Sequence, residues 1–196
     1  MNAPLPTISH EVEETILDAV DKFLERDVRQ HVLALEHADE YPHDIVEGMK
    51  ELGLFGAIIP EEYGGLGLPA STYAKIVERV SAVWMSLSGI FNSHLIMAAA
   101  VVRFGTEEQK RKWLPKFASG EIRGGLALTE PNCGTDLQAI RTVAKRDGDE
   151  YVINGTKTWI SNGIHGTAFA VLTKTDLEAE PRHKGMSLFI AEKGDG

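Results

Sequence analysis

The hydrophobic period of this chain changes once, near Gly120. Before that glycine, apolar residues recur at steps of three and four; after it, short runs alternate apolar and polar side chains between turn signals. A period near 3.6 belongs to helices and a period of 2 to strands. The chain therefore reads as α+β, an all-α helical domain over residues 1–121 followed by a β domain over residues 122–196.

Local signals fill in each half. After Ser9, the residues Val12, Ile16, Val20, Phe23, Leu24 and Val28 mark one helical face, and Glu11, Glu13 and Glu14 complement the helix dipole in the first turn. A second helix is predicted from Pro42 to Gly53, because proline suits a first turn and glycine a C-terminal cap. The apolar run LFGAIIP follows it. Residues Ser71 to Phe104 read as two helices broken between Ser86 and Gly89. The stretch T-E-E-Q from Thr106 is a capping box; it opens a helix that carries Trp113 and that Pro115 is expected to kink or end. Beyond Gly120, Asp147-Gly148 and Asn154-Gly155 are hairpin signals between the strand candidates RTVAKR, YVIN and TKTWIS. AFAVLTK and MSLFIAE are further strands, with a polar loop from Thr175 to Gly185 between them.

Composition narrows the function classes. The formal charge is -9, with most of the acidic excess before Gly120, and such a surface repels phosphate backbones, so nucleic acid is not an expected partner. A single cysteine excludes an intrachain disulfide and a four-thiolate zinc site, and fits a reducing cytoplasm or organelle matrix. The longest apolar run, LIMAAAVV, is too short for a membrane span, and MNAPLPTISHEVEE lacks the pattern of a secretory leader. A soluble protein is expected.

Several motifs are decoys. G-L-G-L-P-A at Gly65 to Ala70 loosely matches a dinucleotide fingerprint, but Pro60, Glu61 and Glu62 separate it from the preceding apolar run and Pro69 interrupts the turn, so it reads as a structural glycine loop. His37, Asp39 and His43 have no metal-ligand spacing. Cys133 has no neighbouring basic side chain to activate it and reads as a small buried residue. Glu130 and Asp136 flank Pro131 and Gly134, a turn composition in which acids cap backbone amides, so neither is assigned catalysis. The remaining signal is LALTEPNCGTD. Around Gly134 and Thr135 its backbone amides can form an anion-binding nest, and Thr129 stands at the end of the apolar strand that leads in. Downstream, Trp159 and Ser161 would share one strand face. An aromatic face and hydroxyls beside an anion cradle suit a flat, phosphorylated cofactor; a tryptophan packed in a core is the alternative that these residues alone leave open.

Taken together, IPEEYGGLG, FGTEEQKRKWLPKFASGE, LALTEPNCGTD, GDEYVINGTKTWISNG and KGMSLFIAEKG resemble, in order, segments of the acyl-CoA dehydrogenase family. The resemblance implies a helical domain followed by a partial antiparallel β-barrel. It implies FAD as cofactor, with Leu126, Leu128, Thr129, Gly134 and Thr135 in the flavin loop, Trp159 packed on the isoalloxazine, and Ile160 and Ser161 beside it. Thr135 would also border the acyl-CoA substrate, and His183 would touch CoA. Departures from the family's usual pattern are Asn132 and Cys133 in place of small residues, threonine for serine at Thr135, and Leu126 for an aromatic.

The implied reaction is α,β-dehydrogenation of an acyl-CoA thioester: a carboxylate removes the α proton while the β hydride passes to the flavin. Electrons would leave to an electron-transfer flavoprotein, and the full-length protein would be a homo-oligomer, a tetramer. The family's catalytic base lies in a C-terminal helical domain, so no residue of this chain is assigned as the base. On this resemblance the chain is expected to be the N-terminal part of such an enzyme, within fatty acid metabolism. A non-catalytic or split subunit, and a related flavin oxidase or hydroxylase, are the alternatives.

Overall fold

The computed structural model describes residues 7–194. The MNAPLP start, read above for a leader, and the final Asp195 and Gly196 lie outside them. The chain divides into two compact units, residues 1–121 and 122–196.

The first unit is helical. Helix α1 spans His10–Phe23 and begins where the Ser9 hydroxyl accepts the Val12 amide at 3.2 Å. Leu17, Val20 and Phe23 are its buried face. A π-helical turn, Leu24–Val28, follows, closed by Arg29 N–H donating to Leu24 O at 2.9 Å, and its wider pitch keeps both Leu24 and Val28 buried. The next helix, α2 (Val32–Ala38), escapes the periodicity reading because it buries no side chain and leaves Leu33 exposed. Helix α3 (His43–Glu51) follows Pro42 and stops short of Gly53, close to the predicted bounds.

The run after Gly53 is buried from Leu54 to Ala57 and again at Ile59. The glycine loop folds back onto it: the amides of Leu66, Gly67 and Leu68 donate to the carbonyls of Gly56, Ile59 and Ala57. At Gly65 a β-carbon would collide with the Ile59 carbonyl, so the glycines serve this close approach and no cofactor turn.

Helix α4 covers Ala70–Phe104, 35 residues, and breaks at Trp84 (φ -155°, ψ 102°), two residues before the expected interval. Trp84 donates its indole N–H to Glu36 at 2.6 Å across to α2. By length and composition α4 could cross a membrane, but Ile76, Val80, Leu87, Phe91, Leu95 and Ala98 are all packed inside its own unit, as in the core helix of a helical bundle. Helix α5 (Glu107–Ala118) opens with both hydrogen bonds of the Thr106–Gln109 capping box. Pro115 does not end it. The helix runs on to Ala118, because burial of Trp113, Leu114 and Phe117 around the proline offsets the lost amide bond and the ring's clash with the preceding turn. His94, wholly buried, bonds through Nε2 to Phe117 O at 3.1 Å and meets Phe55 and Phe117 edge-on.

The second unit is a mixed five-stranded sheet, a partial barrel that does not close. Its strands are β1 (Gly124–Ala127), β2 (Val143–Asp147), β3 (Glu150–Asn154), β4 (Ala168–Lys174) and β5 (Met186–Glu192). β4 is central. One edge pairs antiparallel with all of β5; the other pairs parallel with β1, Gly124 opposite Ala168, and then meets β2 at Val143 opposite Lys174. The β2–β3 hairpin turns at Gly148-Asp149, one residue beyond the first hairpin signal.

The second hairpin signal fails. After Asn154 the chain leaves the sheet, and residues 155–167 form an irregular segment instead of the strand expected for TKTWIS. Trp159 (φ 57°) and Asn162 (φ 64°) are left-handed there, a geometry no strand tolerates. Trp159 and Ser161 consequently do not share a strand face.

Candidate functional site

The site grows from the C-terminal end of β1. Leu126 lies in that strand, half-buried; Leu128 and Thr129 are half-buried in the extension beyond it. Glu130 then turns inward, 4% exposed, and its backbone exchanges hydrogen bonds with Cys133 at 2.9 and 3.1 Å. This bridge makes residues 130–133 a tight turn. It holds Cys133 half-buried, more open than its composition suggested. Gly134 and Thr135 follow, exposed, and their amides donate to nothing among the described residues.

The loop closes on the Glu130 carboxylate. One oxygen accepts the Arg141 amide at 2.6 Å; the other accepts the Thr142 amide at 2.9 Å, the Thr142 hydroxyl at 2.6 Å and Lys157 Nζ at 2.9 Å. Burial pushes the Glu130 carboxyl up, but the Thr142 hydroxyl, the Arg141 amide, Lys157 and the Thr142 amide outweigh it and hold the group down at about 2. The prediction of an amide-capping acid is met at Glu130. Asp136 is exposed and only starts the following 3-10 turn.

Lys157 makes a second bond, to Leu128 O at 2.9 Å. One residue on, the Thr158 amide donates to Thr129 O at 2.9 Å. These contacts lay the irregular segment alongside the β1 extension, so Thr129 and Trp159 become neighbours in space although they are far apart in sequence. Trp159 is 89% exposed. Ile160 is half-buried and accepts the Gly163 amide, Ser161 is exposed, and Asn162 donates to Gly124 O at 2.8 Å, tying the segment to the start of β1. Gly155 packs so tightly on Thr142 that a β-carbon there would collide with its hydroxyl and backbone.

His183 sits in a short 3-10 turn, Arg182–Gly185, at the end of the β4–β5 connection and leading into β5. Because β1 and β4 run parallel, both loops emerge from the same end of the sheet, but no hydrogen bond joins His183 to Thr135. Lys157 and Thr142 were not singled out in the sequence. Their partner in Glu130 lies 27 and 12 residues away, a distance at which no local pattern operates.

The sequence matches the N-terminal domain of acyl-CoA dehydrogenases over residues 10–121 and the middle domain over residues 125–196. The chain belongs to the acyl-CoA dehydrogenase family. It is 40% identical to the (2S)-methylsuccinyl-CoA dehydrogenase of Cereibacter sphaeroides over 93% of this chain and 33% of that protein. Among solved structures, the acyl-CoA dehydrogenase of Geobacillus kaustophilus superposes with a TM-score of 0.88 at 38% identity, over 97% of this chain and 50% of that one. An acyl-CoA dehydrogenase of Bacillus anthracis complexed with FAD superposes at 0.81 with 33% identity, over 97% and 33%. The chain thus spans between a third and a half of the family members it matches. Within the family framework, the segments brought together by Glu130 and Lys157 are those that the resemblance assigns to the flavin.

Proposed function

We propose that this chain supplies the helical domain and flavin-cradling β domain of an FAD-dependent acyl-CoA dehydrogenase. The observation that carries the reading is Trp159: a large indole almost wholly exposed, on a left-handed backbone, one residue beyond the Thr158 amide that bonds Thr129 O. Backbone strain at a bulky residue is retained where a function needs it.

The donor set fits a flavin diphosphate. Gly134 and Thr135 offer amides and a hydroxyl, and the nearest buried carboxylate, Glu130, is already saturated with donors and paired to Lys157. Leu126, Leu128 and Thr129 would line the ring, Trp159 would cover its face, and Ile160 and Ser161 would flank its reactive edge. Thr135 and His183 would meet the CoA thioester. Bound FAD would supply the two-electron acceptor for the substrate's β hydride. The chain's own groups orient and exclude water. Glu130, held at about 2, is too weak a base to remove an α proton, so the base is sought elsewhere in the assembled enzyme. Electrons would pass to an electron-transfer flavoprotein, and the protein would act as a homo-oligomer in the cytoplasm or an organelle matrix.

Titration of the purified chain with FAD, followed by tryptophan fluorescence, tests this directly. Trp84 and Trp113 are buried, so quenching that disappears in Trp159→Phe reports the cradle. Saturable Trp159 quenching is the expected result. Its absence in the chain alone, with recovery when a C-terminal domain is added in trans, would favour a split subunit. Reoxidation of the assembled, substrate-reduced protein by oxygen at a catalytic rate would favour a flavin oxidase.

A further inference from the structure

We infer that the buried Glu130–Lys157 ion pair is a positioning element that sets the distance between the two walls of the cradle; its consequence for flavin rests on the function proposed above. The first wall is residues 126–135 and the second residues 158–161. They belong to different connections of the sheet, and two kinds of bond join them: the Thr158 amide to Thr129 O, and Lys157 Nζ to both Leu128 O and Glu130. Lys157 is therefore a three-way link between the first wall's backbone, the carboxylate that closes its loop, and the second wall's backbone.

The geometry is over-determined. Glu130 is 2% exposed at its side chain and Lys157 10%. The carboxylate also fixes the far end of the loop through Arg141 and Thr142, and Gly155 packs its backbone on Thr142. A single pair of charges thus ties residue 128, residue 130, the chain at 141–142 and the entry to the second wall at 155–157. The Glu130 and Lys157 side chains are themselves too enclosed to meet a ligand. Their role is to act through half-buried Thr129 and through exposed Thr135 and Trp159. A buried ion pair adds little net stability over apolar residues of the same shape, so its presence here is explained better by the registry it imposes than by stability.

The test uses the full chain and three variants, Glu130→Ala, Lys157→Met and Lys157→Arg, at a temperature where their circular dichroism coincides with that of the wild type. Without flavin, hydrogen exchange of the Thr158 amide reports contact between the walls. It is expected to speed at least about tenfold in Glu130→Ala and Lys157→Met while the amides of β4 keep their protection, and to stay near wild type in Lys157→Arg, whose guanidinium can still serve both acceptors. With FAD, affinity read from Trp159 quenching is expected to fall at least about tenfold in the first two variants and to be restored in the third, as positional errors of about an ångström produce such losses. Unchanged Thr158 protection in both Glu130→Ala and Lys157→Met would overturn the inference. So would altered exchange with unaltered FAD affinity, since the pair would then be structural only. A wild-type chain that fails to bind FAD, with Thr158 exchange changed as expected, would instead overturn the flavin reading and leave the wall-spacing role standing.

Discussion

In the helical unit the fully buried large side chains include Phe55, Phe91, Met97, Leu114 and Phe117; in the β unit the buried centre of the site is a carboxylate with four donors. One unit is ordered by apolar burial, which is non-directional and tolerates approximate geometry. The other is ordered around its loops by hydrogen bonds and charge, which are directional and costly when incomplete. Surface exposure does not separate the two: Trp159, Ile164 and Leu177 stand exposed in the β unit's loops, as Leu33, Met85 and Phe104 do in the helical unit. A polar clasp holds a binding segment at a defined position without filling the space that a ligand needs.

The largest expected effect breaks the clasp. Glu130→Leu leaves Lys157 buried without its counter-charge and should destabilise the β unit by about 3–5 kcal/mol, whereas adding Lys157→Met to it should recover most of that loss. Urea unfolding, with Trp113 fluorescence for the helical unit and circular dichroism for the sheet, would separate the two units; a double variant no better than the single would show that the pair is not coupled. The same residue sets a pH dependence. Its folded-state value is depressed to about 2 from the ordinary 4.5, so its contribution is fully present above 4.5 and is lost as pH falls from 4.5 towards 2. Acid titration should give a shallower slope over this interval in Glu130→Gln than in the wild type.

The matching perturbation in the other unit is Leu114→Ala, with an expected loss of about 2–5 kcal/mol from transfer and cavity terms together, and with no acid-dependent component. A pH-dependent difference between this variant and wild type would blur the contrast between the units. Smaller still is Thr106→Ala, which removes one half of the capping box and should lower stability by about 1 kcal/mol, measurable as a reduced denaturation midpoint. Smallest, and opposite in sign, is Trp159→Gly. It should raise stability by up to about 1 kcal/mol by relieving a left-handed backbone while abolishing FAD-dependent quenching; a destabilised variant would mean that the indole packs in the absence of ligand.

The same contrast decides what was legible in the sequence. Helical periodicity, the Ser9 and Thr106 caps and the Pro42–Gly53 interval are local, and α1, α3 and α5 form where they predict. α2 was missed because it buries nothing. In the β unit, β2 to β5 form over their predicted segments, but TKTWIS has strand composition without strand structure. Its fate is set by Leu128, Glu130 and Thr129 acting on Lys157 and Thr158 from 27 to 29 residues away. The candidate site residues could be named from the family resemblance. The clasp that brings them together could not, because a buried ion pair leaves no periodic trace.

The parallel pairing of β1 with β4 also bears on how the chain acquires its structure. The two strands meet across 44 residues of sequence, so β1 must wait, unpaired, until β4 has left the ribosome, while the helical unit already has its full sequence. Non-local contacts of this kind form late because loop closure precedes any reward. The cradle therefore matures last. Pulse-labelled refolding should find Thr167 and Ala168, whose amides donate to Arg123 O, protected after the amides of α4, and newly made protein should pass through an interval in which its helical half is complete and its ligand loops are not.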